Sequence, residues 1–186
     1  MILVKNKLLQ SSTYIYRNYI IDCGDGDAIL KEAEEHNIMI RGIFLTHCHQ
    51  DHIYGLPIVL KKYPEAKIYC SHMTYKGLKD ESLNLSYIMP EYSFPFIYDA
   101  NVVELTEGVH FIDNNKVEMI ICNGHSNDSQ SYIIDSNLFT GDALLPFTKV
   151  FTKWPTSNKE LAIESENKLR KLAIKRNLII RPGHWQ

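Results

Sequence analysis

The stretch Thr46-His47-Cys48-His49-Gln50-Asp51-His52 constrains what this chain can fold into more than any other. Three imidazoles and a carboxylate crowd one bend, and burying such groups unpaired costs about 1–3 kcal/mol each. His47 and His49 have the spacing of two side chains leaving the same side of an extended segment. Asp51 and His52 follow at once, in the turn into the next element. A zinc-like cation takes about four ligands, and consecutive residues cannot supply four to one ion without straining the backbone. Two cations could divide them if further ligands arrived from elsewhere, so the fold must carry distant segments to this bend.

Candidates for those ligands stand at the ends of apolar runs: His125 in MIICNGHSNDS, Asp142 in NLFTGDALL and His184 in LIIRPGH. Such positions are strand termini, where separated segments converge on one edge of a sheet. Gly124, Gly141 and Gly183 directly precede the three, as expected where backbone turns tightly. His36, His72 and His110 belong to no motif and are expected at the surface. Cys48 lies between two candidate ligands but should face the other side of its strand as a buried thiol.

The order of elements is that of a layered α/β chain. STYIYRNYIID reads as two short strands, and GDGDAILKEAEEHN as a helix with Asp25 and Asp27 near its positive end and Asn37 closing it. GIFLT is a buried strand running into the histidine cluster. Leu56, Val59, Leu60 and Tyr63 fall at helical spacing, with Pro57 in the first turn and Pro64 after the end. AKIYC is a further strand. Residues 79–98 hold aromatics and two prolines without a period and read as an irregular insertion: a wall or lid over the site, or satellite packing or a homodimer contact. NVVEL, VHFI, KVEMIIC, SYIID and NLFT are short strands. The last helix starts at Ser157 or Asn158 and carries Leu161, Ser165, Leu169 and Leu172 on one stripe. NLIIRPGHW closes as strand and turn. No repeat or linker divides the 186 residues, so one domain over 1–186 is expected. A chain of this length buries roughly 70 % of its extended surface without needing a staple.

The pattern HxHxDH, a later strand-end histidine, a Gly-Asp and a final Gly-His resemble the metallo-β-lactamase superfamily, and in particular its glyoxalase II-like hydrolases. NYIIDCGDG is similar to that family's first motif, so the resemblance spans nearly the whole chain. It implies a four-layer αββα sandwich with the metals at one edge. It also implies that His47, His49 and His125 hold a first metal, that Asp51, His52 and His184 hold a second, and that Asp142 bridges them. Asp22 would stand behind the ligands and hold the histidine loop in place. Tyr54 and Asn127, neighbours of ligands in the chain, are the candidate substrate contacts.

Two cations about 3.5–4 Å apart lower the pKa of a shared water and supply hydroxide as nucleophile, so no serine or cysteine nucleophile is required. The expected function is hydrolysis of a small ester, thioester or lactone, with Asp51 as the catalytic residue that ligates one metal and orients the nucleophile. Zinc is favoured, and iron or manganese would accept the same donors. Two rival readings use related ligands: a phosphodiesterase akin to tRNA 3′-processing nucleases, which share the Gly-Leu-Pro after the motif, and a mononuclear-iron persulfide dioxygenase. A net charge of −2 and the lack of a basic arm make a small molecule, not nucleic acid, the expected partner. True zinc β-lactamases commonly place a cysteine where this chain has Asp142, which counts against antibiotic hydrolysis. Glyoxalase II proper adds a helical C-terminal domain with glutathione contacts. This chain ends two residues after His184, so S-lactoylglutathione is not the expected substrate. Lys5 and Lys7 break the opening apolar run, and Cys23, Cys48, Cys70 and Cys122 form no CxxC pair. The expectation is a reduced, cytoplasmic protein with no membrane segment.

Overall fold

The computed structural model describes residues 1–185. Two sheets face each other, and each carries helices on its outer side. The first has strands β1 (Ile2–Lys5), β2 (Ser12–Tyr16), β3 (Tyr19–Ile21), β4 (Gly42–Phe44), β5 (Lys67–Cys70) and β6 (Val102–Glu104), in that spatial order. It is antiparallel from β1 to β3 and parallel from β3 to β6. The second has β7 (Gly108–Ile112), β8 (Asn115–Ile121), β9 (Gln130–Ile134), β10 (Asn137–Gly141) and β11 (Ile179–Pro182), ordered β11-β10-β9-β8-β7. Only its β10–β11 pair is parallel.

Three apolar layers make this an αββα sandwich. Ile20, Ile43 and Ile68 of the first sheet pack with Ile29, Leu56 and Val59 from α1 (Gly26–Glu35) and α2 (Leu56–Lys62). Between the sheets lie Phe44, Tyr132 and Phe139, all fully buried. On the far side, Ile133 and Leu138 meet Leu169 and Ala173 of α4 (Lys159–Arg176). Strands here alternate between the layers: Ile20 and Ile43 face the helices, while Ile21 and Phe44 face the opposite sheet. Fully burying side chains of this size contributes about 1.5–3 kcal/mol each over leaving them exposed.

Local signals act as their chemistry dictates. The Asp25 side chain accepts from the Ala28 amide and caps α1, and Asn37 beyond it sits at φ +54°. Asn158 caps α4 by accepting from the Glu160 and Leu161 amides, and Asn177 closes it in the left-handed region. The buried stripe of α4 differs from the expected one. Leu161 is exposed, and Ala162 takes its place beside Leu169 and Ala173. The helix backbone at Leu161 and Ala162 packs directly on Gly124, where a Cβ would collide with it. Two elements carry no clear sequence signal: β1, and the short α3 (His72–Gly77), capped by Ser71. The 79–98 segment is irregular, with 3-10 turns at 86–88 and 90–92. Its Phe94 and Phe96, with Tyr98, pack against the helix-side core. Among the described residues no helix is long and apolar enough to cross a membrane.

Candidate metal centre

Every candidate ligand follows the C-terminal end of a strand, the edge at which open α/β sheets place ligand sites. β3 runs into Asp22, β4 into the 46–52 loop, β8 toward His125, β10 into Asp142 and β11 toward His184. The connections put all five strand ends on one edge of the sandwich. Ligand atoms of His47, His49 and His125 lie within 4.8 Å of one another, as do those of His47, His52 and Asp142, and those of Asp51, His52 and His184. Asp142 stands between the two halves: Oδ1 is 3.5 Å from His52 Nε2, and Oδ2 is 3.4 Å from His125 Nε2 and 3.1 Å from His184 Nε2. All but His184 are buried.

Hydrogen bonds at the backs of the rings aim the other ring nitrogens inward. His52 Nδ1 donates to Asp22 Oδ2 at 2.9 Å, and His184 Nδ1 donates to the Leu9 carbonyl at 2.9 Å. His125 Nδ1 donates to the Phe151 carbonyl at 2.9 Å, and His47 Nδ1 lies 3.1 Å from Thr46 Oγ1. That hydroxyl in turn donates to Asp22 Oδ2, while the Thr46 amide donates to Asp22 Oδ1. Asp22 therefore ties His52 directly and His47 through Thr46. It is itself buried at φ +60°, a strained placement of the kind that collects at functional sites. Across the site, Asp128 accepts from the Cys48 amide and the Ser126 hydroxyl, buckling the histidine loop to the His125 loop. Gly183 has no room for a side chain, since a Cβ there would collide with Asp142 Oδ1.

Several inward atoms have no partner among the described residues. His47 Nε2, His52 Nε2 and Asp142 Oδ1 are buried without a hydrogen bond, which native interiors rarely leave unexplained. His49 Nδ1 and His125 Nε2 face each other at 2.9 Å, an approach of two ring nitrogens that needs a shared proton or a cation. The charge balance agrees. Burial, with His52 and His49 nearby, holds His47 well below the ordinary imidazole value. Burial and His125 push His49 down to about 3. Burial opposes charge on His52 as well, but Asp51, Asp142 and Asp22 outweigh it and raise that ring well above the usual range. His184 is raised likewise, burial being overcome mainly by Asp142. Asp142 stays well below the carboxylate range against its burial, through His184, His52 and His125. Asp51 is lowered against burial by His52. Within one cluster the shifts thus run in opposite directions: Asp51, Asp142, His47 and His49 are pushed down, while His52 and His184 are pushed up. A His/Asp donor set of this kind fits divalent metals.

Beside the centre opens a cleft of about 180 Å³, walled by Leu9, Leu85, Ile88, Met89, Phe151 and Trp154. Neither Tyr54 nor Asn127 lines it. Tyr54 is half-buried and stacks edge-on against Tyr92, and Asn127 is exposed. Adjacency to a ligand does not decide the matter, since Gln50, between His49 and Asp51, does line the cleft. The insertion supplies its wall through Leu85, Ile88 and Met89, whereas its aromatics serve packing. All four cysteines are free and buried, and Cys48 makes only a long contact to the Leu83 carbonyl.

Known proteins resemble this chain in sequence and in fold. Over 125 residues the chain is 29 % identical to the hydroxyacylglutathione hydrolase of Aliivibrio fischeri (strain ATCC 700601 / ES114), an overlap of 67 % of this chain but only 41 % of that protein. The crystal structure of the BLEG-1 B3 metallo-beta-lactamase superposes with a TM-score of 0.86 at 22 % identity, covering 100 % of this chain and 91 % of that one. TTHA1623, solved in a di-iron-bound form, gives 0.84 at 19 % identity, covering 100 % and 93 %. At such identities the structures speak for the fold alone. A family profile described as "Metallo-beta-lactamase superfamily" matches residues 6–184, the span that contains every strand end described above, and the chain belongs to that superfamily.

Proposed function

We propose that the protein is a dinuclear metal-dependent hydrolase of small ester, thioester or lactone substrates. One observation carries the reading: seven side chains from four separated segments meet at one edge, and among them His47 Nε2, His52 Nε2 and Asp142 Oδ1 are buried without a hydrogen-bond partner. His47, His49 and His125 would hold one cation, Asp51, His52 and His184 the other, with Asp142 between them. Bound there, a cation pair lowers the pKa of a shared water and polarises a carbonyl oxygen. The protein's own part is to fix donor geometry. Asp22 and Thr46 set the tautomers of His52 and His47, and the Leu9 and Phe151 carbonyls do so for His184 and His125. Asp51, beside His52 and His184, is the carboxylate placed to orient the attacking group. The apolar walls receive the acyl part and keep bulk water from it.

Zinc is the favoured occupant, because tetrahedral nitrogen and carboxylate sites suit it; iron and manganese accept the same donors. No lysine or arginine lines the cleft, which weighs against a phosphodiester. The test pairs metal analysis with a hydrolysis screen of thioesters and lactones against bis-p-nitrophenyl phosphate, with chelator controls. About two equivalents of metal and chelator-sensitive acyl hydrolysis are expected. One equivalent, or turnover of the phosphodiester alone, would overturn the reading.

A further inference from the structure

Gln50 lines the cleft between two candidate ligands and is only 2 % exposed, yet neither its side-chain oxygen nor its nitrogen has a hydrogen-bond partner. Its backbone is held on both sides. The amide donates to the Asn84 carbonyl at 2.9 Å, and the carbonyl accepts from the Ile53 and Tyr54 amides. The same Asn84 accepts from the Ser86 amide through Oδ1, and the buried Ser86 hydroxyl is likewise unpartnered. Hydrogen-bonding capacity is thus left open where the histidine loop meets the cleft wall. Apart from the candidate ligands, the rest of the lining is apolar, so Gln50 is the neutral polar group of this cleft.

We propose that the Gln50 carboxamide is the specificity-determining group of the cleft, and that it reads a secondary amide beside the scissile carbonyl of an uncharged acyl substrate. The proposal rests on the hydrolase reading above. A carboxamide offers two N–H donors and an acceptor oxygen, and both ends are buried here without a partner. A secondary amide presents a carbonyl and an N–H that answer both. A carboxylate has no N–H donor to answer the Gln50 oxygen. An alkyl chain satisfies neither end, and a site built to hydrogen-bond discriminates against the analogue that lacks the group.

Two thioesters isolate the effect: the phenyl thioesters of N-acetylglycine and of pentanoic acid, which differ in –CO–NH– against –CH2–CH2–. With each rate divided by its hydroxide-catalysed rate, the wild-type protein should favour the amide in kcat/KM by about tenfold, the scale of one to two net hydrogen bonds. In Gln50→Met the ratio should fall to near one. The same variant should raise the melting temperature of the unliganded protein by about 2–4 °C, since it removes an unsatisfied buried amide. A ratio equal in the two proteins, or a lower melting temperature in Gln50→Met, would overturn the proposal, because the amide would then be a structural group. If neither thioester is turned over, the hydrolase reading fails separately. NMR titration with the N-methylamides of the same two acids then decides on Gln50: tighter binding of the acetylglycine compound, lost in Gln50→Met, supports it, and equal binding refutes it.

Discussion

The floor of the site and its walls are built on opposite principles. On the floor, His47, His52, His125 and His184 are each held twice, once by the strand end that delivers them and once by a hydrogen bond behind the ring. Asp22 alone takes Thr46 through two bonds and His52 through a third. The walls are apolar and locally strained: Leu9 and Leu85, on separate segments, both stand in the left-handed region at φ +49° and +64°. Bulky residues rarely accept that conformation. The contrast teaches that the chemistry of this protein is over-determined, while its selectivity rests on segments that could change without disturbing the donors.

The strongest way to break the comparison is Asp142→Ala. It removes the group that reaches His52, His125 and His184, so affinity for both cations should drop by more than about 100-fold, the upper range for losing an orienting partner alone. Metal content measured after dialysis checks this, and unchanged content would refute the bridging role. A smaller effect comes from pH. The raised values of His52 and His184 mean that in the metal-free protein these rings keep their protons to higher pH than a free imidazole does. Cations must displace them, so apparent affinity should rise with pH through neutrality and level off above the raised values. Titration calorimetry in buffers of different ionisation enthalpy should register proton release on binding; none would mean that those rings are already neutral. The smallest effect sharpens the wall side. Leu9 is more than half exposed, so Leu9→Gly forfeits little burial while relieving its positive φ. Stability should change by no more than about 1 kcal/mol, with metal content unaltered and KM shifted, as denaturant melts, metal analysis and kinetics would show.

The floor is legible in the sequence because each part leaves a chemical mark. HxHxDH concentrates donors that have no place in an apolar core, and His125, Asp142 and His184 each follow a glycine at the end of an apolar run. The caps Asp25 and Asn158 and the closing Asn37 and Asn177 leave similar marks. The walls carry none. Leu9, residues 85–89 and the Phe151–Trp154 segment are far apart in the chain and consist of residues that any core uses. Only tertiary packing brings them together. Tyr54 and Asn127 illustrate the converse, since proximity in sequence to a ligand does not carry over to proximity in space. β1 and α3 are too short to show a period, and the α4 stripe runs through Ala162 instead of the exposed Leu161, an orientation set where the helix backbone meets Gly124.

The loop at residues 9–12 and the turn at 182–184 clasp each other. Ser12 donates to the Gly183 carbonyl, Tyr14 to that of Pro182, and His184 to that of Leu9. A donor at residue 184 is thus held by residue 9, a contact of very high sequence separation that forms only once the two ends of the fold meet. The placement of His184 at the candidate centre is therefore tied to closure of the tertiary structure, whereas His47, His49 and Asp51 are set together within one short loop.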